Sequence, residues 1–103
     1  MNPPLTVLIA DDHPIFRKGL CEVIESDPSL ALAGQAANGD EALRMIDELR
    51  PSVAILDINM PRLSGLQVAE ALRTREVRPR LVLLTMHEDE DLFDRAMELG
   101  VPA

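Results

Sequence analysis

Val53-Ala54-Ile55-Leu56-Asp57 is an apolar run that ends abruptly in a carboxylate, and two other runs repeat the arrangement. Val7-Leu8-Ile9-Ala10 ends in Asp11-Asp12, and Leu81-Val82-Leu83-Leu84 ends in Thr85. Successive apolar residues without polar alternation predict strands covered on both faces, the condition of a parallel sheet. Such sheets bind ligands beyond the carboxyl ends of their strands. Three acids and a hydroxyl are therefore expected to converge on one crevice. That is a site for a hard cation and a phosphoryl group.

Helical patterns lie between the strands. Pro14 falls where a first helical turn accepts it, and Phe16, Leu20, Val23 and Ile24 mark one face. Ile15 lies off that stripe, so it is expected to be an exposed docking contact beside the site. Asp27-Pro28-Ser29 ends the helix, and Leu30 to Ala37 reads as a weaker strand nearer the sheet's edge. Asn38 can cap a second helix whose stripe is Ala42, Met45, Ile46 and Leu49, with Pro51 as the stop. A third helix begins near Gly65 and turns Leu66, Ala69 and Leu72 inward. A fourth carries Leu92, Phe93, Ala96, Met97 and Leu99, with Gly100 at the place of a C-terminal cap. Four strand–helix units with short, right-handed connections make an α/β doubly wound sheet.

Composition narrows the function classes. A chain of 103 residues is one domain, and a hydrophobic share of 47% is enough for a real core. The net charge of −8 argues against nucleic-acid binding by this segment, because DNA affinity comes largely from cationic contacts to phosphates. No apolar run approaches membrane-spanning length and no signal peptide is evident, so no membrane role is expected. Cys21 has no partner cysteine, which suits a cytoplasmic protein.

The chemistry rests on residue type at the strand ends. Asp11 and Asp12 are a pair that suits Mg²⁺, which takes one or two carboxylates and keeps open positions for water and phosphate oxygens. One of them could instead cap the helix at Pro14. Asp57 is a candidate nucleophile, able to form an acyl phosphate when a cation neutralises the incoming oxygens. Thr85 would give its hydroxyl to the new phosphate, although threonine also simply finishes strands. Other features carry no chemistry. Gly34 to Gly39 has the spacing of a phosphate loop, but Asp40-Glu41 stand where a lysine and a hydroxyl are needed. His13 and His87 lack metal-ligand spacing and read as loop residues. Glu88 to Asp91 reads as the acidic first turn of a helix.

Taken together, Asp11-Asp12, the run Asp57-Ile-Asn-Met-Pro61 with Gly65 beyond, and Thr85 resemble a two-component response-regulator receiver domain. The resemblance covers essentially the whole chain, residues 1–103. Asp-Asp-His-Pro-Ile-Phe-Arg-Lys-Gly-Leu further resembles the NarL/FixJ-type subfamily, whose members usually carry a C-terminal helix-turn-helix DNA-binding domain. It implies a flavodoxin-like sheet ordered 2-1-3-4-5 and phosphoryl transfer from a histidine kinase to Asp57. It also implies Mg²⁺ held by Asp12, Asp57 and the Asn59 backbone carbonyl, with Asp11 acting through a water and Thr85 sensing the phosphate. The family's lysine follows a fifth strand, and the chain ends before it; Lys18, in the first helix, cannot take that role. The expected architecture is thus order 2-1-3-4 with the fifth strand and helix missing. DNA contact is expected only through a domain beyond residue 103. The Thr85 strand is expected to be a sticky edge, favouring self-association or low stability. Two rival functions remain: a phosphate-independent interaction module, and a phosphatase with an aspartyl nucleophile. The phosphatase would want a second acid where Asn59 stands.

Overall fold

A computed structural model describes residues 3–84. Thr85 and the expected fourth helix lie outside the described residues. Strands β1 (Leu5–Ala10), β2 (Leu30–Ala36), β3 (Val53–Asp57) and β4 (Arg80–Leu84) alternate with helices α1 (Pro14–Glu25), α2 (Gly39–Leu49) and α3 (Gly65–Leu72). All pairings are parallel and the sheet order is β2-β1-β3-β4. This is the flavodoxin-like order that the family resemblance implies. β2 is an edge strand, as its composition suggests. Its ladder to β1 slips by one residue between Val7 and Leu8.

The period of two along β1 divides its side chains between two cores. Val7 and Ile9 pack with Cys21 and Ile24 of α1. Leu8 and Ala10 pack on the other face with Ala42 and Ile46 of α2 and Val68 and Leu72 of α3. Residues Val7 to Ala10 are all buried, so the strand is apolar throughout because both its faces are covered. Each large side chain so buried stabilises the fold by roughly 1.5–3 kcal/mol relative to exposure.

Capping fixes where two of the helices begin. The Asn38 side chain accepts from the Glu41 backbone N–H at 2.9 Å, as expected for α2. Ser64 and Gln67 form a reciprocal capping box at the start of α3, with bonds of 2.9 and 3.2 Å. α2 ends at Leu49 with Arg50 in the left-handed region at φ 47°, just before Pro51.

The inward face of α1 differs from expectation. Cys21 and Ile24 are buried, whereas Phe16 is 43% and Val23 64% exposed. Ile24 and Leu20 of the expected stripe do pack inward, so the buried face keeps half of that stripe and shifts toward Cys21. The smaller Cys21 fits against Val7 and Ile9, and the bulkier Phe16 is left facing the hollow beside the strand ends.

Candidate functional site

β1 and β3 are neighbours, with Ala10 opposite Leu56. One step further, Asp11 and Asp57 meet at the carboxyl end of the sheet. Backbone bonds extend the ladder there and hold both segments: Asp11 N–H donates to the Ala36 carbonyl and Ile58 N–H to the Leu84 carbonyl, each at 3.0 Å. The Asp11 and Asp57 side chains are only 2% and 5% exposed, while Asp12 is one-third exposed. A buried, unpaired carboxylate is costly, and three together more so.

The acids are held by a small set of donors. Asp11 Oδ1 accepts the His13 backbone N–H at 2.8 Å, and Arg17 of α1 donates to the Asp11 carbonyl at 2.8 Å. Asp57 Oδ1 accepts the Asn59 N–H at 3.0 Å. His13 occupies the N-cap of α1, yet its side chain caps nothing. Its ring turns into the cluster, with Nδ1 3.1 Å from Asp11 Oδ1, 3.0 Å from Asp12 Oδ1 and 3.7 Å from Asp57 Oδ2. Nδ1 carries at most one proton, so it cannot satisfy all three. Asp12 Oδ1 is left shielded from solvent without a hydrogen bond; its approach to the imidazole is a charge contact only.

Electrostatics follow from this crowding. Burial pushes the Asp57 carboxyl up from its ordinary value; the Asn59 N–H opposes the shift, and the Asp11 and Asp12 charges reinforce it. The hydrogen bond to Asp11 raises His13, and the charge of Asp12 adds to it. Both shifts show that the cluster favours added positive charge. Potential ligand atoms of Asp11, Asp12, His13 and Asp57 all lie within 4.8 Å of one another. An orphaned, shielded carboxylate oxygen in that set fits a cation with oxygen preferences such as Mg²⁺.

Asp11, Asp12 and Asp57 thus come together as their positions in the sequence suggested. Ile15 is 89% exposed on the first turn of α1. With Asp11, His13, Phe16, Asp57 and Leu84 it lines a hollow of about 310 Å³. His13 is the residue that sequence spacing missed. Its signal was position: it follows an acid pair at a strand end and precedes the helix-opening Pro14. Arg17 was missed as well, since nothing in its spacing points to a backbone carbonyl one turn earlier.

Comparison with known proteins places this site in a family. The model of the response regulator receiver domain matches residues 7–102. The chain belongs to the response regulator receiver family. It is 32% identical over 97 residues to the nitrate/nitrite response regulator protein NarL of Escherichia coli (strain K12), a match covering 94% of this chain and 45% of that protein. It is 39% identical over 87 residues to a protein-glutamate methylesterase/protein-glutamine glutaminase of Myxococcus xanthus, covering 84% of this chain and 25% of that protein. Among solved structures, the signal receiver domain of the response regulator NarL from Mycobacterium tuberculosis superimposes with a TM-score of 0.93 at 34% identity, over 97% of this chain and 81% of that one. The receiver spans less than half the length of these curated relatives. Among the described residues, no helix is long and apolar enough to cross a membrane.

Proposed function

We propose that this receiver accepts a phosphoryl group from a histidine kinase on Asp57 and thereby switches a transcriptional output. The observation that carries the reading is the buried Asp57 carboxylate, anchored through one oxygen by Asn59 and set beside Asp11 and an orphaned oxygen of Asp12. A divalent cation held by Asp12, Asp57 and the Asn59 carbonyl, with Asp11 acting through a water, would neutralise the oxygens of the incoming phosphoryl group. The Asp57 carboxylate attacks phosphorus, a P–O bond forms, and the bond to the donor breaks with its electron pair leaving on the donor. Thr85, next after Leu84, would then hydrogen-bond the phosphate. Incubation with a small acyl phosphate and Mg²⁺ should add one phosphoryl group that hydroxylamine removes. No incorporation would sink the reading.

Mg²⁺ should raise the melting temperature, because it relieves repulsion among three clustered carboxylates and binds only the folded chain. At a Mg²⁺ concentration about a hundredfold above its dissociation constant the gain is about 2.7 kcal/mol. Asp12→Ala should remove most of that gain. A shift that survives the substitution unchanged would take Asp12 out of the site.

Ile15 offers an apolar contact on the rim of the hollow that Asp57 lines, which supports kinase docking there. Ile15→Ala is expected to slow transfer from the kinase about tenfold, the loss of roughly 1.4 kcal/mol of contact, and to leave uptake from the small donor intact. Equal slowing of both would point to damage at the acids.

The output is inferred from length. NarL of Escherichia coli is more than twice as long as the segment matched here, which supports a further domain beyond residue 103 in the natural protein, and the NarL/FixJ-type resemblance makes a helix-turn-helix DNA-binding domain the reading for it. The esterase activity in the Myxococcus xanthus name is not carried over, since the match spans a quarter of that protein. Self-association of the 103-residue chain is tested by sedimentation.

A further inference from the structure

The position of His13 goes beyond the family's all-oxygen site. A helix N-cap side chain ordinarily turns back to the exposed N–H groups of the first turn, but the ring of His13 turns the other way, over the acids. Pro14 at the first helical position already lacks one of those N–H groups, so the helix loses less by this arrangement. Nδ1 then stands 3.0, 3.1 and 3.7 Å from oxygens of three different carboxylates. With metal–ligand bonds of about 2.1 Å, neighbouring ligands of an octahedron lie about 3.0 Å apart, and those of a tetrahedron about 3.4 Å. The separations around Nδ1 are those of ligands sharing one ion. The widest separation in the set, 4.8 Å, exceeds by little more than half an ångström the roughly 4.2 Å between opposite octahedral ligands.

A hydrogen-bonded ion pair accounts for only part of this geometry. One Nδ1 proton can serve Asp11 Oδ1, and Asp12 Oδ1 stays shielded and unbonded. With the ring proton on Nε2, the Nδ1 lone pair points into the same space as the carboxylate oxygens.

We propose that His13 is a nitrogen ligand at this site, making it a mixed nitrogen–oxygen centre that binds first-row transition ions such as Co²⁺, Ni²⁺ or Zn²⁺ in preference to Mg²⁺. Carboxylate, carbonyl and water suit Mg²⁺, whereas imidazole adds affinity for the later divalent ions. This inference rests on the reading of the acid cluster as a divalent-cation site. Its physical consequence is that the metal loaded into the receiver, and so its readiness for phosphoryl transfer, depends on which divalent ion is available.

The test titrates Co²⁺ and Mg²⁺ separately into the 103-residue chain and into His13→Ala and His13→Asn. Co²⁺ affinity should fall about tenfold or more in both variants, while Mg²⁺ affinity changes less than about threefold. The NMR spectrum of the unaltered chain with Co²⁺ should show one exchangeable imidazole N–H shifted far outside the diamagnetic range and absent from the variants. That signal requires a ligated ring and decides the matter even if a variant folds poorly. A Co²⁺ complex without it, or equal changes for both ions, would overturn the ligand role and leave His13 a charge neighbour of the acids. Mg²⁺ binding without the imidazole signal overturns this inference alone; failure of both ions to bind overturns the phosphoacceptor reading with it.

Discussion

Asp57→Asn is expected to abolish phosphate uptake, lowering the rate from a small acyl phosphate with Mg²⁺ by at least about a hundredfold, or about 2.7 kcal/mol of activation free energy. The amide keeps the shape of the side chain and can still accept the Asn59 N–H at its oxygen. It lacks the negative charge that the proposed attack on phosphorus and the proposed cation binding require. Uptake equal to that of the unaltered chain would show that another residue is the acceptor.

The same substitution should stabilise the metal-free fold. Burial holds the Asp57 carboxyl above its ordinary value of 3.8, with the Asp11 and Asp12 charges adding to the shift. An acid whose folded pKa is raised favours folding in its protonated form, and that advantage is lost as pH rises from the unfolded value through the folded one. At neutral pH the ionised side chain therefore opposes folding. Its replacement by a neutral amide should raise the melting temperature in the presence of a chelator. The gain should shrink on acidification, because Asp57 then protonates and the two chains become alike. A constant difference across pH would mean that the charge of Asp57 is not its source.

Gly65→Ala is expected to destabilise the fold strongly, and it does so at the backbone that carries Asp57. A Cβ at this position would lie 2.6 Å from the Asp57 carbonyl oxygen and 3.1 Å from the Asp57 carbonyl carbon and Ile58 Cα. These are backbone atoms and cannot swing away as a side chain tip would. The Gly65 N–H also donates to the Ile58 carbonyl at 3.1 Å, so the start of α3 is pressed against the end of β3. Relief requires α3 or the Asp57 segment to move. The loss should be about 2–4 kcal/mol, lowering the melting temperature by roughly 10 °C or more. Phosphate uptake should slow even below the melting transition, because the displaced backbone carries Asp57, the proposed acceptor. Gly19→Ala is the control. Nothing lies within 4 Å of its would-be Cβ in the middle of α1, so that change should stabilise the helix by about 0.5–1 kcal/mol. Equal behaviour of the two variants would remove close packing as the reason for Gly65.

Much of this molecule is legible along the chain. The uninterrupted apolar runs before Asp11, Asp57 and Thr85 point to parallel, doubly covered strands, because a run without polar alternation offers no face to water. Their polar ends determine which residues meet, since strand ends in such a sheet share one edge. Asn38 and Pro51 bound α2 by local rules of capping and chain geometry, and those rules operate within a few residues. The orientation of α1 was not legible in this way. Two apolar arcs overlap on that helix, and the choice between Phe16 and Cys21 as the inward residue depends on the space left between Val7 and Ile9. That space belongs to the sheet and not to the helix. The role of His13 was hidden for the same kind of reason. Its distance in sequence to Asp57 is long and carries no spacing rule. Only the pairing of β1 with β3 brings the imidazole within reach of Asp11, Asp12 and Asp57 together. Residue type and period thus determined the strands and the acids. The packing of α1 across the end of β1 decided which neighbour joins the acid cluster, because that meeting depends on distances in space that no local pattern encodes.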